Sequence, residues 1–118
     1  MKRNRLRELL NEGKPTLGTH VVTPSPVPVE IIGQSGAFDY IEYIGEYSSF
    51  SLELLDNIGR TIELFPHMSS MIKVEEWARG FVATRAIGSG IQNMLFASCR
   101  SAEDVRPVSY THLTLPTN

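Results

Sequence analysis

The residues best placed to do chemistry are Gly45-Glu46-Tyr47, at the polar end of the run Phe38-Asp39-Tyr40-Ile41-Glu42-Tyr43-Ile44. That run alternates in period two, follows the turn signal Gln34-Ser35-Gly36 and gives way to a helical pattern, which is how a strand of a parallel α/β protein reads. Ligands of such proteins bind beyond the carboxyl ends of the strands, where the following helices point their N-termini and the loops vary freely. Glu42 shares parity with Ile44 and Glu46, so both carboxylates fall on the face of Tyr40. A carboxylate turned inward needs a cation, and Lys73, in the neighbouring strand pattern Ser69 to Val74, is the expected partner. If the sheet is open, Glu42 is instead a solvated acid.

The other reactive side chains carry weaker signals. His67 follows Pro66 in a loop and His112 lies near the C-terminus, and neither has a recognisable ligand spacing. Cys99 is the single cysteine, which excludes an internal disulfide and reads as a small buried apolar residue in a reducing compartment. Gly88-Ser89-Gly90 lies between a helix and a strand, the reverse of the order that aims backbone N–H groups at phosphate, so it reads as a helix stop.

The elements that must position these groups follow from periodicity. Lys2 to Glu12 is an amphipathic helix with Leu6, Leu9 and Leu10 on one face, stopped by Gly13. Leu17 to Val22 is a first strand, Ser25 caps a helix with Pro26 at its first position, and Val27 to Gln34 forms that helix. After the Phe38 to Tyr47 strand, Ser51 caps a helix whose Leu54, Ile58 and Ile62 stack at i, i+4, i+8, and Pro66 ends it. Ser69 to Val74 is a third strand, and Glu75 to Ile87 a third helix of this series with Trp77 and Phe81 packing at i, i+4. Gln92 to Ala97 is a fourth strand, and Ser101-Ala102-Glu103-Asp104 caps a last helix with acids in its first turn. Strand starts about 21 to 32 residues apart mark βα units and a parallel sheet, and four units are half of an eight-stranded barrel; an open four-stranded sheet fits the same pattern.

Composition narrows the function classes. The 118 residues suffice for one domain, and 42% hydrophobic with 20% charged residues is the balance of a soluble globular protein. A formal charge of −2 gives no reason to expect nucleic acid or anionic membrane as a partner. The basic N-terminus lacks the apolar stretch of a signal peptide, and no run is long enough to span a membrane, so a cytoplasmic location is the expectation.

Arg5-Leu6, Leu9-Leu10, Gly13, Leu17-Gly18-Thr19, Pro24-Ser25-Pro26, Val29-Glu30-Ile31-Ile32-Gly33, Gly36-Ala37-Phe38-Asp39-Tyr40 and Gly45-Glu46 together resemble the opening of the HpcH/HpaI aldolase/citrate lyase family. The likeness continues through Met71-Ile72-Lys73-Val74, Gly88 and Ser101-Ala102-Glu103-Asp104-Val105-Arg106. It implies a partial TIM (β/α)8 barrel, about four βα units of eight preceded by a short helix. It also implies a metal-dependent aldolase or lyase that makes or breaks a carbon–carbon bond next to pyruvate, with 4-hydroxy-2-oxo acids such as 4-hydroxy-2-oxoheptanedioate or 2,4-dihydroxyhept-2-ene-1,7-dioate among its substrates. A divalent ion (magnesium, manganese or cobalt) would hold the 2-oxo acid and lower the cost of removing the adjacent proton; the family's carboxylate ligands for it come from later strands, so none is expected here. The family's strand ends Asp-Gly-Glu-His, and here Ile44-Gly45-Glu46-Tyr47 aligns with it, placing Tyr47 in the acid/base position. A phenol ordinarily ionises near pH ~10 and needs a cation beside it to act near neutrality. Lys73 aligns with the arginine that contacts the oxo acid, keeping the charge and losing the bidentate fork. His20 aligns with a pocket-lining tryptophan, so that Lys73, Glu46 and His20 form the expected substrate-binding set. A homo-oligomer is the implied assembly.

After Arg106 the string Val108-Ser109-Tyr110-Thr111-His112-Leu113-Thr114-Leu115-Pro116-Thr117 has no helical period and is similar to a translated adapter. The expected division is therefore 1–106, the front half of an aldolase barrel, and 107–118, a tail outside the fold. Such a half barrel is expected to be inactive alone, and the competing reading is a non-catalytic scaffold that persists by self-association.

Overall fold

The computed structural model describes residues 2–106. Four parallel strands lie in chain order: β1 (Gly18–Val21), β2 (Tyr40–Ile44), β3 (Ser69–Val74) and β4 (Asn93–Phe96). They alternate with helices α1 (Arg5–Asn11), α2 (Val27–Ser35), α3 (Leu52–Glu63) and α4 (Arg79–Gly88), and residues 102–106 are again helical. Sequential parallel neighbours joined by helical crossovers, in the order β1-β2-β3-β4, have the arrangement of a portion of a β/α barrel wall, one of the two architectures the strand spacing allows.

Strand register divides the sheet into two chemistries. Side chains alternate along a strand, and Val21, Tyr43 and Ile72 stand level on one face, as do Ile41 and Ser70 one step earlier. That face meets the helices. Ile41, Tyr43, Ile72 and Val74 are buried against Leu54, Leu55, Ile58 and Ile62 of α3 and Val82 and Ala86 of α4 in one cluster. The opposite, open face carries Gly18, Tyr40 and Ser69 in one level, His20, Glu42, Met71 and Asn93 in the next, and Ile44, Lys73 and Leu95 in the last. α1 covers the N-terminal rim of this face: Leu6 and Leu9 are buried, the Leu6 amide donates to Ser69 Oγ at 3.2 Å, and Asn4 and Asn93 exchange amide hydrogen bonds.

Local signals account for the boundaries. Ser51 caps α3, its hydroxyl accepting from the Leu54 amide at 3.1 Å. Asp104 Oδ2 accepts from the Arg100 and Ser101 amides while Ser101 Oγ accepts from the Asp104 amide, a reciprocal cap for 102–106. Arg79 ties the start of α4 to this region by donating to the carbonyls of Ala97 and Asp104.

Several expectations are corrected. Leu10 is 61% exposed rather than packed with Leu6 and Leu9, because α1 runs only from Arg5 and rests on the rim along a narrow stripe. Pro26, not Ser25, occupies the N-cap position of α2; the Ser25 hydroxyl makes the shorter loop to the Val27 amide. The helix expected from Glu75 begins at Arg79. Residues 75–78 form a turn ending at Ala78, whose φ is 55°. Trp77 therefore stands outside the helix at 77% exposure, and the phase that buries Val82, Ala83 and Ala86 leaves Phe81 at the surface beneath the Arg85 guanidinium. The expectation for residues 107–118 lies outside the described residues.

Candidate functional site

β2 stops at Ile44, and Gly45-Glu46-Tyr47 turns away from it, the Tyr47 and Ser48 amides both donating to the Ile44 carbonyl. Glycine is needed at 45 for space: a Cβ there would sit 2.9 Å from the Lys73 carbonyl oxygen and 3.2 Å from Ile72 Cδ1. This close approach brings the turn over β3, and Glu46 Oε2 lies 2.6 Å from Lys73 Nζ. Both side chains are largely sheltered, 25% exposed for Lys73 and 16% for Glu46. The pairing expected for an inward carboxylate is thus made by Glu46 rather than Glu42, because Ile44, the register partner of Lys73, separates the two acids along the strand.

Lys73 is a firmly held cation. The Glu46 carboxylate, as acceptor for its ammonium, keeps Lys73 above the ordinary lysine value, burial opposes this, and the Glu46 charge, Tyr47 and Glu42 add to the upward pull. Nζ also stands 5.1 Å from the centre of the Tyr47 ring, within cation–π range, while Tyr47 itself is 76% exposed. Glu46 Oε2 is buried and makes no well-aligned hydrogen bond, so its link to Lys73 is an ion pair by distance. Glu46, Tyr47 and Lys73 are therefore brought together. His20 stands apart from them, exposed on β1 and one level nearer the N-terminal rim, level with Glu42.

Further residues shape this end of the sheet. Tyr43 points to the helical side, where its hydroxyl donates to the Ser49 carbonyl at 3.2 Å and anchors the turn that carries Glu46 and Tyr47; burial pushes the phenol's pKa up, a hydrogen bond with Ser48 opposing. Its register parity signals this orientation, whereas the bond to Ser49 has no sequence signature. Among the described residues no three His, Cys, Asp or Glu side chains are grouped to hold a metal ion. No described helix is long and apolar enough to cross a membrane.

A parallel β/α barrel wall with a sheltered lysine at the C-terminal ends of its strands defines the class. Solved structures share this fold. Citrate synthase SbnG superposes with a TM-score of 0.76 at 19% identity, over 90% of this chain and 42% of its own. An HpcH/HpaI aldolase from Desulfitobacterium hafniense DCB-2 gives 0.70 at 18% identity, over 88% of this chain and 39% of its own. An HpcH/HpaI aldolase/citrate lyase family protein from Burkholderia cenocepacia J2315 gives 0.76 at 16% identity, over 87% and 40%. The chain thus spans about two fifths of the length of the solved structures it matches. No protein-family model matches the sequence, and no curated protein does. The resemblance carried by the sequence motifs is accordingly met by a resemblance of fold: the described residues build part of the barrel seen in these aldolase and lyase structures.

Proposed function

We propose that this chain contributes four βα units to the barrel of a carbon–carbon lyase, of the HpcH/HpaI aldolase kind, acting next to the carbonyl of a 2-oxo acid. The observation that supports it is the sheltered, 25% exposed Lys73 side chain near the end of β3, held by Glu46. In this reading Lys73 binds the oxo-acid carboxylate, Glu46 fixes its position, and Tyr47 at the rim is available for proton exchange with the bound molecule. A divalent ion, when bound, would stabilise the enolate as a Lewis acid. Its ligands are to come from outside the described residues, whose part is to hold the carboxylate and to handle a proton.

Pyruvate binding tests this. Titrated into the chain and followed by saturation-transfer NMR, pyruvate is expected to bind, and Lys73→Met to weaken it by about 10- to 100-fold, the loss of charge-assisted hydrogen bonds worth about 1.5–3 kcal/mol. Equal binding to both forms, or none to the unmodified chain, sinks the proposal. The non-catalytic reading draws on one observation: among the described residues β1 and β4 have no strand on their outer sides, and Leu95 is 44% exposed on the open face. A chain that binds pyruvate while sedimenting as a monomer excludes that reading.

A further inference from the structure

The surface around the Lys73 ammonium is apolar. Met94 and Phe96 pack against the cluster on the helical side, so Leu95 between them projects to the open face by the alternation of a strand. Register sets Lys73 level with Ile44 on one neighbouring strand and with Leu95 on the other. Ile44 is buried, Leu95 is 44% exposed, and the Tyr47 ring, its centre 5.1 Å from Lys73 Nζ, is exposed as well. The accessible parts of this surface are therefore the flank of a leucine and the ring of a tyrosine. Its charges are unbalanced. Among the described strand residues Lys73 is the only Lys or Arg on this face. Glu46 is its ion-pair partner, and Glu42, one level nearer the N-terminal rim, also acts on its charge. Two carboxylates thus surround one ammonium.

We infer that the oxo acid this site takes is a monocarboxylate with a branched apolar side chain, and that Leu95 is the residue that selects it. The inference rests on the reading of Lys73 as the cation that binds the carboxylate, and it departs from the dicarboxylic substrates that the sequence resemblance implies. With the carboxylate on Lys73, the carbon chain leaving it lies along Leu95 and the Tyr47 ring, and apolar surface on both sides is removed from water. A second carboxylate at the far end of the substrate meets no lysine or arginine on this face and lies on a surface that already carries Glu42 and Glu46. Dicarboxylic oxo acids are then rejected by unpaired like charge, not by size. The apolar wall and the surplus of acid discriminate in the same direction.

Affinities of three acids for the chain, read by saturation-transfer NMR in competition, decide it. Pyruvate has a methyl group beyond its carbonyl, 4-methyl-2-oxopentanoate an isobutyl group, and 2-oxopentanedioate a second carboxylate. The branched acid is expected to bind about 10-fold more tightly than pyruvate, the worth of its added carbons on a wall that is open on one side. The dicarboxylate is expected to bind at least about 10-fold more weakly than the branched acid, for want of a cation. Leu95→Ser should remove most of the advantage of the branched acid and leave pyruvate affinity unchanged, and Leu95→Met should keep the advantage. Glu42→Gln should bring the dicarboxylate closer to the branched acid. Equal affinity for pyruvate and the branched acid, a dicarboxylate bound as tightly as the branched acid, or a preference unchanged in Leu95→Ser overturns the inference. The first two comparisons use the unmodified chain and stand even if Leu95→Ser fails to fold. No binding of any of the three acids overturns the Lys73 reading and the substrate class together. Pyruvate bound through Lys73 without the preference overturns the substrate class alone.

Discussion

Gly45→Ala should damage the protein although it adds only a methyl group. The new Cβ would meet the Lys73 carbonyl oxygen at 2.9 Å and Ile72 Cδ1 at 3.2 Å. The methyl contact can relax by rotation of the isoleucine. The carbonyl cannot, because it belongs to the backbone of β3, which is paired with β2 on one side and β4 on the other. The strain must be taken up by moving the 45–47 turn outward, which draws Glu46 from Lys73, or by distorting the sheet. Overpacking of this kind costs about 1–3 kcal/mol. With a urea m value of about 2 kcal/mol/M, ordinary for a small domain, the unfolding midpoint should fall by roughly 0.5–1.5 M. Gly88→Ala is the control. It lies at the end of α4 with no atom within 4 Å of the added methyl, so loss of unfolded-chain freedom should leave stability unchanged or raise it by up to about 1 kcal/mol. Circular dichroism against urea reads both. A Gly45→Ala midpoint equal to that of the unmodified chain would refute the close approach on which the Glu46–Lys73 geometry depends.

Leu55 is fully buried at the centre of the helical side, so Leu55→Ala should cost about 2–5 kcal/mol in the same urea assay; a loss under half a kilocalorie would place that side chain elsewhere. The Lys73 ammonium sits above its ordinary value of 10.5, chiefly through Glu46. A cation whose folded pKa is raised contributes stability that is complete below the unfolded value and lost as pH climbs through the folded one. The unmodified chain should therefore show an alkaline decline beginning near pH 10.5 that is reduced in Lys73→Met, and identical alkaline profiles for the two would contradict the pairing.

Strand identity and order were legible because each strand carries its own period and its own punctuation. Ser69 to Val74 is bounded in the structure as its sequence pattern implies, and Ser51 caps α3 through the bond its position suggests. The start of α4 was not legible. Trp77 and Phe81 satisfy helical spacing, but a left-handed Ala78 lies between them, and nothing in an alanine announces that conformation. Leu10 misleads for a related reason: in a seven-residue helix lying on a rim, i, i+3, i+4 spacing overstates the width of the buried stripe. At the site, parity placed Glu42, Glu46 and Lys73 on one side of the sheet, yet choosing between the two acids required the path of the turn after Ile44. That Leu95 stands level with Lys73 depends on the register of two strands separated by a whole helix, which no local pattern encodes.

The division of the sheet into a helical side and an open side has a consequence for how such a chain can change over time. Odd and even positions of the same strand answer to different requirements: 41, 43, 72 and 74 must fill a fixed volume among the helices, whereas 20, 42, 71 and 73 meet whatever occupies the strand ends. A reactive group can therefore be lost at one open-side position and gained at another without disturbing the packing that holds the strands in order. Drift in catalytic equipment and persistence of architecture are then two outcomes of one alternation, running along opposite sides of the same backbone.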